Sequence, residues 1–254
     1  VKRGLLRAAQ AGVALAALAF GWLIYVYLTL PDVRPLQRTN PATTAFIELR
    51  AAEAHATGHP ARRDQRWVPY SRISPELKRA VLVAEDSAFW QHDGVDLDQL
   101  KESIETNLER GRFARGGSTI TQQLAKNLYL SPARTPARKL RELIIARRLE
   151  ATLSKRRILE LYLNVVEWGD GIYGAEAAAR AYFRRPASSL DRAESALLAA
   201  ALVNPRVLQP AHPNTRLRRR QRIILRRMGA VIPLPPSDAD ADPSGSGGPP
   251  SVAR

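Results

Sequence analysis

From Ala8 to Leu30 the chain carries no charged residue: AAQAGVALAALAFGWLIYVYLTL runs for 23 residues. About 20 apolar residues cross a bilayer core as a helix, whereas a signal-peptide core has about 7–15 and ends at small residues. The far end of this run instead holds Trp22, Tyr25 and Tyr27, side chains suited to the membrane–water interface. Lys2, Arg3 and Arg7 precede the run and Asp32 follows it. The positive-inside rule then predicts a single-pass anchor with residues 1–7 in the cytoplasm, a span over 8–30 and everything later outside. A signal peptide is the competing reading of the same segment.

The partner classes narrow from there. Lys and Arg number 39 against 24 Asp and Glu, a formal charge of +15, and 33 of the cations are Arg. Such an excess expects a polyanion: nucleic acid, an anionic membrane face or a phosphorylated substrate. A basic domain held outside the cytoplasm disfavours nucleic acid and favours the other two. The chain has no cysteine, which excludes disulfides, a thiol nucleophile and thiolate metal sites. An apolar share of 45% is ample for a packed core.

Along the chain, residues 31–64 read as a proline-punctuated stalk and 65–230 as the folded domain. Residues 231–254, rich in Pro, Ser, Gly and Asp, read as a disordered tail. Ser74-Pro75-Glu76 is a helix start: a cap, a proline at the first turn and an acid beside the helix dipole. Further helices are expected over 97–108, 118–130, 135–153, 155–164, 175–182 and 192–202, with a basic glycine-rich loop over 110–117. No long alternating pattern of the kind that makes strands is present, so the fold class is mostly α.

Four segments carry chemistry. In EDSAFWQHDG (85–94) an acid ends an apolar helix face, where partial desolvation raises its pKa and makes it a better proton acceptor or donor; a salt-bridged helix end is the plainer alternative. GGSTITQQLAKN (116–127) puts glycines, hydroxyls and amides at a helix start, suited to an anion or a sugar, or simply to a capped helix. Arg134, Arg138, Lys139 and Arg141 crowd Glu142, which a solvated surface face would also produce. Within 155–183, Gly169-Asp170-Gly171-Ile172-Tyr173-Gly174 matches G-x-G-x-x-G in form, but no strand precedes it and a dinucleotide site is rejected. His55 and His59 have helical spacing, yet Gly58 and Pro60 interrupt it and no H-E-x-x-H exists. Ser118 lacks the G-x-S-x-G elbow of a serine hydrolase.

EDSAFWQHDG (85–94), GGSTITQQLAKN (116–127), RKLRE (138–142) and ILELYLNVVEWGDGIYGAEAAARAYF (158–183), in this order and spacing, resemble the peptidoglycan glycosyltransferases of glycosyltransferase family 51. The resemblance covers about residues 65–230 and is closest to the monofunctional biosynthetic type rather than the bifunctional penicillin-binding type. Two departures are local: Arg184-Arg185 stand where the family commonly has Gly, and Val203 replaces a usual Leu before Asn204-Pro205.

The resemblance implies a lysozyme-like, two-lobed helical domain behind one N-terminal transmembrane helix, in a bacterial inner membrane. It implies that lipid II and a growing lipid-linked glycan are joined into a β-1,4 strand, with inversion and release of undecaprenyl diphosphate. Glu85 matches the catalytic base, with Asp86, Phe89 and His92 supporting it. Glu142 matches the second essential carboxylate, which cationic neighbours would keep ionised to orient them or a divalent ion. Lys126 and Arg134 match residues near the diphosphate, and Arg138 and Lys139 extend that patch. Ser118, Thr119, Gln122 and Gln123 are expected on sugar and phosphate oxygens. No residue is assigned as a metal ligand, and no cofactor is required, although Mg or Mn at the diphosphate is compatible with the chemistry. The membrane is an expected partner, proteins of cell division and wall synthesis are compatible ones, and nucleic acid is not expected. Two rivals stay open at this point: a lytic enzyme of the same helical class, and a non-enzymatic membrane-anchored scaffold.

Overall fold

The computed structural model describes residues 2–96, 117–133 and 135–230. The expected helix over 97–108, most of the loop over 110–117, Arg134 and the tail over 231–254 lie outside the described residues. Among the described ones there are nine α-helices: α1 Lys2–Leu28, α2 Ala45–Ala56, α3 Pro75–Glu85, α4 Ile120–Tyr129, α5 Pro136–Thr152, α6 Lys155–Val165, α7 Ala175–Phe183, α8 Arg192–Ala201 and α9 Thr215–Ala230.

Side-chain caps start most of them. The hydroxyls of Ser74, Thr119, Thr135 and Ser154 accept from backbone N–H groups in the first turns of α3, α4, α5 and α6. Asp191 and Glu194 form a reciprocal capping box on α8. Each cap satisfies a donor that the helix leaves unpaired, an effect of about 1 kcal/mol. This is why short polar signals in the sequence locate the starts of these helices so closely.

The helices pack as two groups on one continuous core that runs from Val33 to Met228. In one group α8 lies against α3 and α9; in the other α4 lies against α5, α6 and α2. The inner face of α8 is Ala196, Ala199 and Ala200, all buried, and side chains this small let α3 approach closely. Gln10–Leu28 within α1 is long and apolar enough to cross a membrane.

Residues 31–64 are not a free stalk, contrary to the sequence expectation. Val33 and Leu36 join the core. Thr44 caps α2 through the Ile47 N–H, and Ile47 is buried. The prolines that suggested a linker lie in the turns around these short pieces, while the apolar residues between them are enough to dock each piece.

A small sheet closes one side. Strands β1 (Asp64–Gln65), β2 (Glu167–Gly169) and β3 (Ile172–Tyr173) are ordered β1-β3-β2, with β1 parallel and β2 antiparallel to β3. A strand, β2, does precede the glycine string, contrary to the sequence reading, but it turns back in an antiparallel hairpin with β3 before α7 starts, which is not the parallel strand–turn–helix unit of a nucleotide loop. Gly174 has φ +83°, and a Cβ there would sit 2.7 Å from the Asn164 carbonyl oxygen. Asn164, wholly buried, ties α6 to the incoming chain: Oδ1 accepts from Val68 N–H at 2.9 Å and Nδ2 donates to the Val68 carbonyl at 2.9 Å.

Both departures from the family pattern have a structural reading. Val203 is exposed, so little packing rests on it. Arg184 ends α7 in the left-handed region at φ 57°, ψ 29°, the conformation that favours glycine. A side chain there costs about 1–2 kcal/mol. Arg184→Gly is expected to stabilise the fold by about 1 kcal/mol, read as a rise of about 2–4 °C in thermal midpoint; an unchanged or lower midpoint would contradict the strain at this cap.

Candidate active site

The site is assembled where α3 ends and α4 begins. Asp86, 1% exposed, follows the last residue of α3. One of its oxygens, Oδ2, accepts from the Ile120 N–H at 2.9 Å, the first turn of α4, and Oδ1 meets His92 Nε2 at 2.9 Å. His92 Nδ1 accepts from the Gly94 N–H at 3.2 Å, so the proton sits on Nε2 and the ring donates to Asp86. A negative charge at a helix N-terminus is favoured by the dipole. Phe89 is wholly buried, edge-on to Trp90 with ring centres 4.9 Å apart. The Lys155 ammonium lies 4.5 Å from its ring centre and donates to the His92 carbonyl. Asp86, Phe89 and His92 thus hold the turn that follows Glu85.

Glu85 itself is partly exposed. Its Oε2 accepts from Gln123 Nε2 at 2.9 Å, and Gln123 Oε1 accepts from the Tyr162 hydroxyl at 3.0 Å. Burial and the charges of Glu85 and Asp86 push the Tyr162 hydroxyl well above its usual range, so it stays neutral and donates to Gln123 Oε1. The Gln123 amide is thus placed with its oxygen towards Tyr162 and its NH2 towards Glu85. Burial raises the Glu85 carboxyl above its ordinary value; the Gln123 bond and the charges of Arg220 and Lys126 pull it back, and Asp86 adds to the rise. The result is a proton acceptor matched to neutral pH better than a solvated acid.

Glu142, 3% exposed, lies in the opposite electrostatic setting. Arg138 Nη1 meets its Oε2 and Lys139 Nζ its Oε1, each at 2.5 Å. Lys139 also donates to Ser118 Oγ at 3.2 Å and Gln122 Oε1 at 3.1 Å. An ammonium has three hydrogens, so Lys139 is fully matched by these three acceptors and contributes charge more than direct contacts.

Lys126 differs. Its ammonium has no hydrogen-bond or ion-pair partner among the described residues, and it lies 5.4 Å from the ring centre of Phe46 on α2. Burial pushes its pKa down; Glu142 pulls it up, Arg138 and Lys139 push it down, and Glu85 pulls it up. One uncommitted cation is therefore in electrostatic reach of both acids and of the Arg138–Lys139 pair.

Two of the expected sugar ligands need correction. Thr119 is wholly buried: its hydroxyl accepts from the Gln122 N–H and donates to the Gly94 carbonyl at 2.7 Å. Gln122, also buried, donates from Nε2 to the same carbonyl at 3.3 Å. Both pin the α4 start to the Gly94 turn, because a helix start must satisfy its own polar groups before it can serve a ligand. Ser118 and Gln123 remain on the open side. Sequence reading gave no role to Phe46 and Arg220, and it placed Lys155 and Tyr162 in the chemistry-bearing segment 155–183 without assigning them one. Only Tyr162 left a signal, a lone hydroxyl on the apolar α6 that must find a partner when buried.

For a cation, Asp86, His92 and Asp96 bring ligand atoms within 4.8 Å of one another. Both Asp86 oxygens already accept hydrogen bonds and the His92 Nε2 proton faces one of them, so this trio suits a structural lock better than a metal.

Comparison with known proteins shows the family. A family model described as "Transglycosylase" matches residues 52–229. A biosynthetic peptidoglycan transglycosylase of Laribacter hongkongensis is 48% identical over 216 residues, covering 85% of this chain and 95% of that protein. One from Chromobacterium violaceum is 46% identical over 221 residues, covering 87% and 96%. One from Aromatoleum aromaticum is 50% identical over 194 residues, covering 76% and 84%.

Gln123→Leu removes the bond that favours the charged form of Glu85, so the Glu85 pKa is expected to rise further. Carbon NMR of labelled glutamate side chains would read the change, and Tyr162→Phe should move the same resonance in the same direction by less. A downward shift in Gln123→Leu would contradict the relay.

Proposed function

The chain belongs to the transglycosylase family, a mostly helical, lysozyme-like family of peptidoglycan glycosyltransferases, and from that premise we propose how its own residues carry glycan polymerisation. The acceptor is lipid II and the donor is the growing lipid-linked glycan. Glu85 takes the proton from the acceptor sugar hydroxyl. The oxygen then attacks the donor anomeric carbon from the face opposite the lipid diphosphate. A C–O glycosidic bond forms as the C–O bond to the diphosphate breaks, with inversion, and the electron pair leaves on undecaprenyl diphosphate. Its negative charge meets Lys126 first, with Arg138 close behind and the field of Lys139 around them. Glu142 aims these cations, and Ser118 and Gln123 contact sugar or phosphate oxygens.

The observation that carries this reading is the position of Lys126. Among the described residues it has no hydrogen-bond or ion-pair partner, and it feels the charge of Glu85 and of the Glu142 cluster. A lytic enzyme expels a sugar alcohol and has no use for such a charge beside its acid. The cation cluster can neutralise a diphosphate without a resident metal, so Mg or Mn assists rather than enables. Gln10–Leu28 anchors the chain in the inner membrane with its N-terminus in the cytoplasm, which keeps enzyme and lipid substrate on one surface and raises their effective concentration. Peptidoglycan precursors are the partners; other proteins of wall synthesis and division are compatible with the exposed basic surface.

Polymerisation of lipid II by the full chain in detergent tests the roles. Glu85→Gln should lower turnover by about 10²–10⁴-fold with helical circular dichroism unchanged. Lys126→Ala should lower it more than a metal chelator does. An unaltered rate in Glu85→Gln would remove that residue as the base; conversion of finished glycan, with lipid II left intact, would favour the lytic reading.

A further inference from the structure

A cavity of about 540 Å3 lies where α2, the chain leading into β1, the β2–β3 hairpin and the segment after α8 meet. The reaction steps proposed above make no use of it. Its chemistry-bearing lining is Arg50 and Glu53 from α2, His59 and Arg62 from the approach to β1, Asp170 from the hairpin turn and Arg206 from the segment after α8. One contact in its wall is built for close approach. Gly171 has φ +72°, and a Cβ there would stand 2.5 Å from the Arg62 Cβ and 2.9 Å from the Arg62 carbonyl oxygen. Glycine therefore lets the hairpin turn press against Arg62 and fixes that wall.

The acids of the lining are committed, and part of its basic set is not. Glu53 meets Arg50 at 2.8 Å, and Arg50 also holds Glu167 at 3.1 Å. Arg206 lies 3.6 Å from Glu53 and 3.5 Å from Asp170. Those two contacts are ion pairs without hydrogen bonds, so the guanidinium N–H donors of Arg206 stay available. Arg62 is exposed and, among the described residues, has no hydrogen-bond or ion-pair partner. Guanidiniums and carboxylates thus interleave around the cavity, and no aromatic ring lines it among the described residues. A compact phosphate would face Glu53 and Asp170 there, and like charges at short range repel it. A sugar ring finds no aromatic face to stack on. A peptide fits both signs: its carboxylates take the guanidinium forks, and its amine and amide N–H groups meet the acids.

Arg50 links this cavity to the candidate active site. The Phe46 ring centre lies 5.8 Å from the Arg50 guanidinium and 5.4 Å from the Lys126 ammonium. The two sites are thus joined through one ring on α2, and a peptide of a few residues, at about 3.3–3.6 Å per residue, spans such a gap. Lipid II carries a short acidic peptide on its saccharide. We infer that this cavity binds the carboxylate-bearing stem peptide of a saccharide held at the Glu85–Lys126 site, with Arg62 and Arg206 receiving its carboxylates. The inference rests on the proposed polymerisation and deepens it, since it makes the peptide a recognised part of the substrate beside the sugar and the lipid.

The test compares two substrates on the full chain in detergent: lipid II, and lipid II from which an amidase has removed the peptide. Wild type should use intact lipid II about tenfold better in kcat/KM, with the difference lying in KM. Arg62→Glu should cut that preference to within about twofold, and Arg62→Lys should keep most of it. The peptide released by the amidase is the direct probe. Titrated into the full chain, it should shift arginine Nε–H NMR signals in wild type and leave them in place in Arg62→Glu, and inorganic phosphate at the same concentration should not displace it. Equal use of both substrates by wild type, or displacement of the peptide by phosphate, overturns the peptide subsite and leaves the polymerase reading standing. A wild-type chain that binds the peptide yet makes no glycan from either substrate overturns the polymerase reading instead.

Discussion

The buried carboxylate of Asp86 is the fastening on which the site depends. It takes the first free N–H of α4 with one oxygen and the His92 ring with the other. Each bond is charge-assisted, and a helix N-terminus is among the few places where an anion can be buried without a cation beside it. Through this one group, the end of α3 and the start of α4 are held at a fixed angle. Glu85, one residue earlier, then meets the Gln123 amide in the first turn of α4 across the junction. The stability of the junction and the aim of Glu85 are the same interaction seen from two sides.

Two glutamates of identical intrinsic chemistry are divided into two tasks by their surroundings. Glu85 is held by one neutral amide and is raised by burial. Glu142 is gripped by a guanidinium and an ammonium at once. Lys126 feels the charge of both acids, and among the described residues it has no hydrogen-bond or ion-pair partner.

The segments ahead of the catalytic core take part in it. α2 lends Phe46, whose ring lies within 5.8 Å of Arg50 and 5.4 Å of Lys126. Beyond it, Arg50 reaches Glu167 on β2, and Arg206 spans Glu53 and Asp170, tying α2 to the hairpin and to the segment after α8. α1 is docked on α5 through Thr29 and its aromatic belt. A substrate with a lipid end and a saccharide end asks for a protein whose membrane-facing and sugar-facing surfaces are rigidly joined, and these contacts provide that joint.

The helices were legible in the sequence because helix formation is local. Apolar residues at helical spacing and caps such as Ser74, Thr119, Ser154 and Asp191 act within one turn of where they are written, so they survive being read one residue at a time. The ordered motifs led to the family for a related reason: each is a short run of neighbouring residues. The site contacts are not local. Tyr162 reaches Gln123 across 39 residues and Gln123 reaches Glu85 across 38; Asn164 pins Val68 across 96. Composition and periodicity carry no measure of such distances, which is why Thr119 and Gln122 looked like ligands and residues 31–64 like a stalk. The sequence by itself determined the helices, their caps and the family; packing alone decided which polar groups were consumed in holding the α3–α4 junction, because those contacts join residues far apart in the chain.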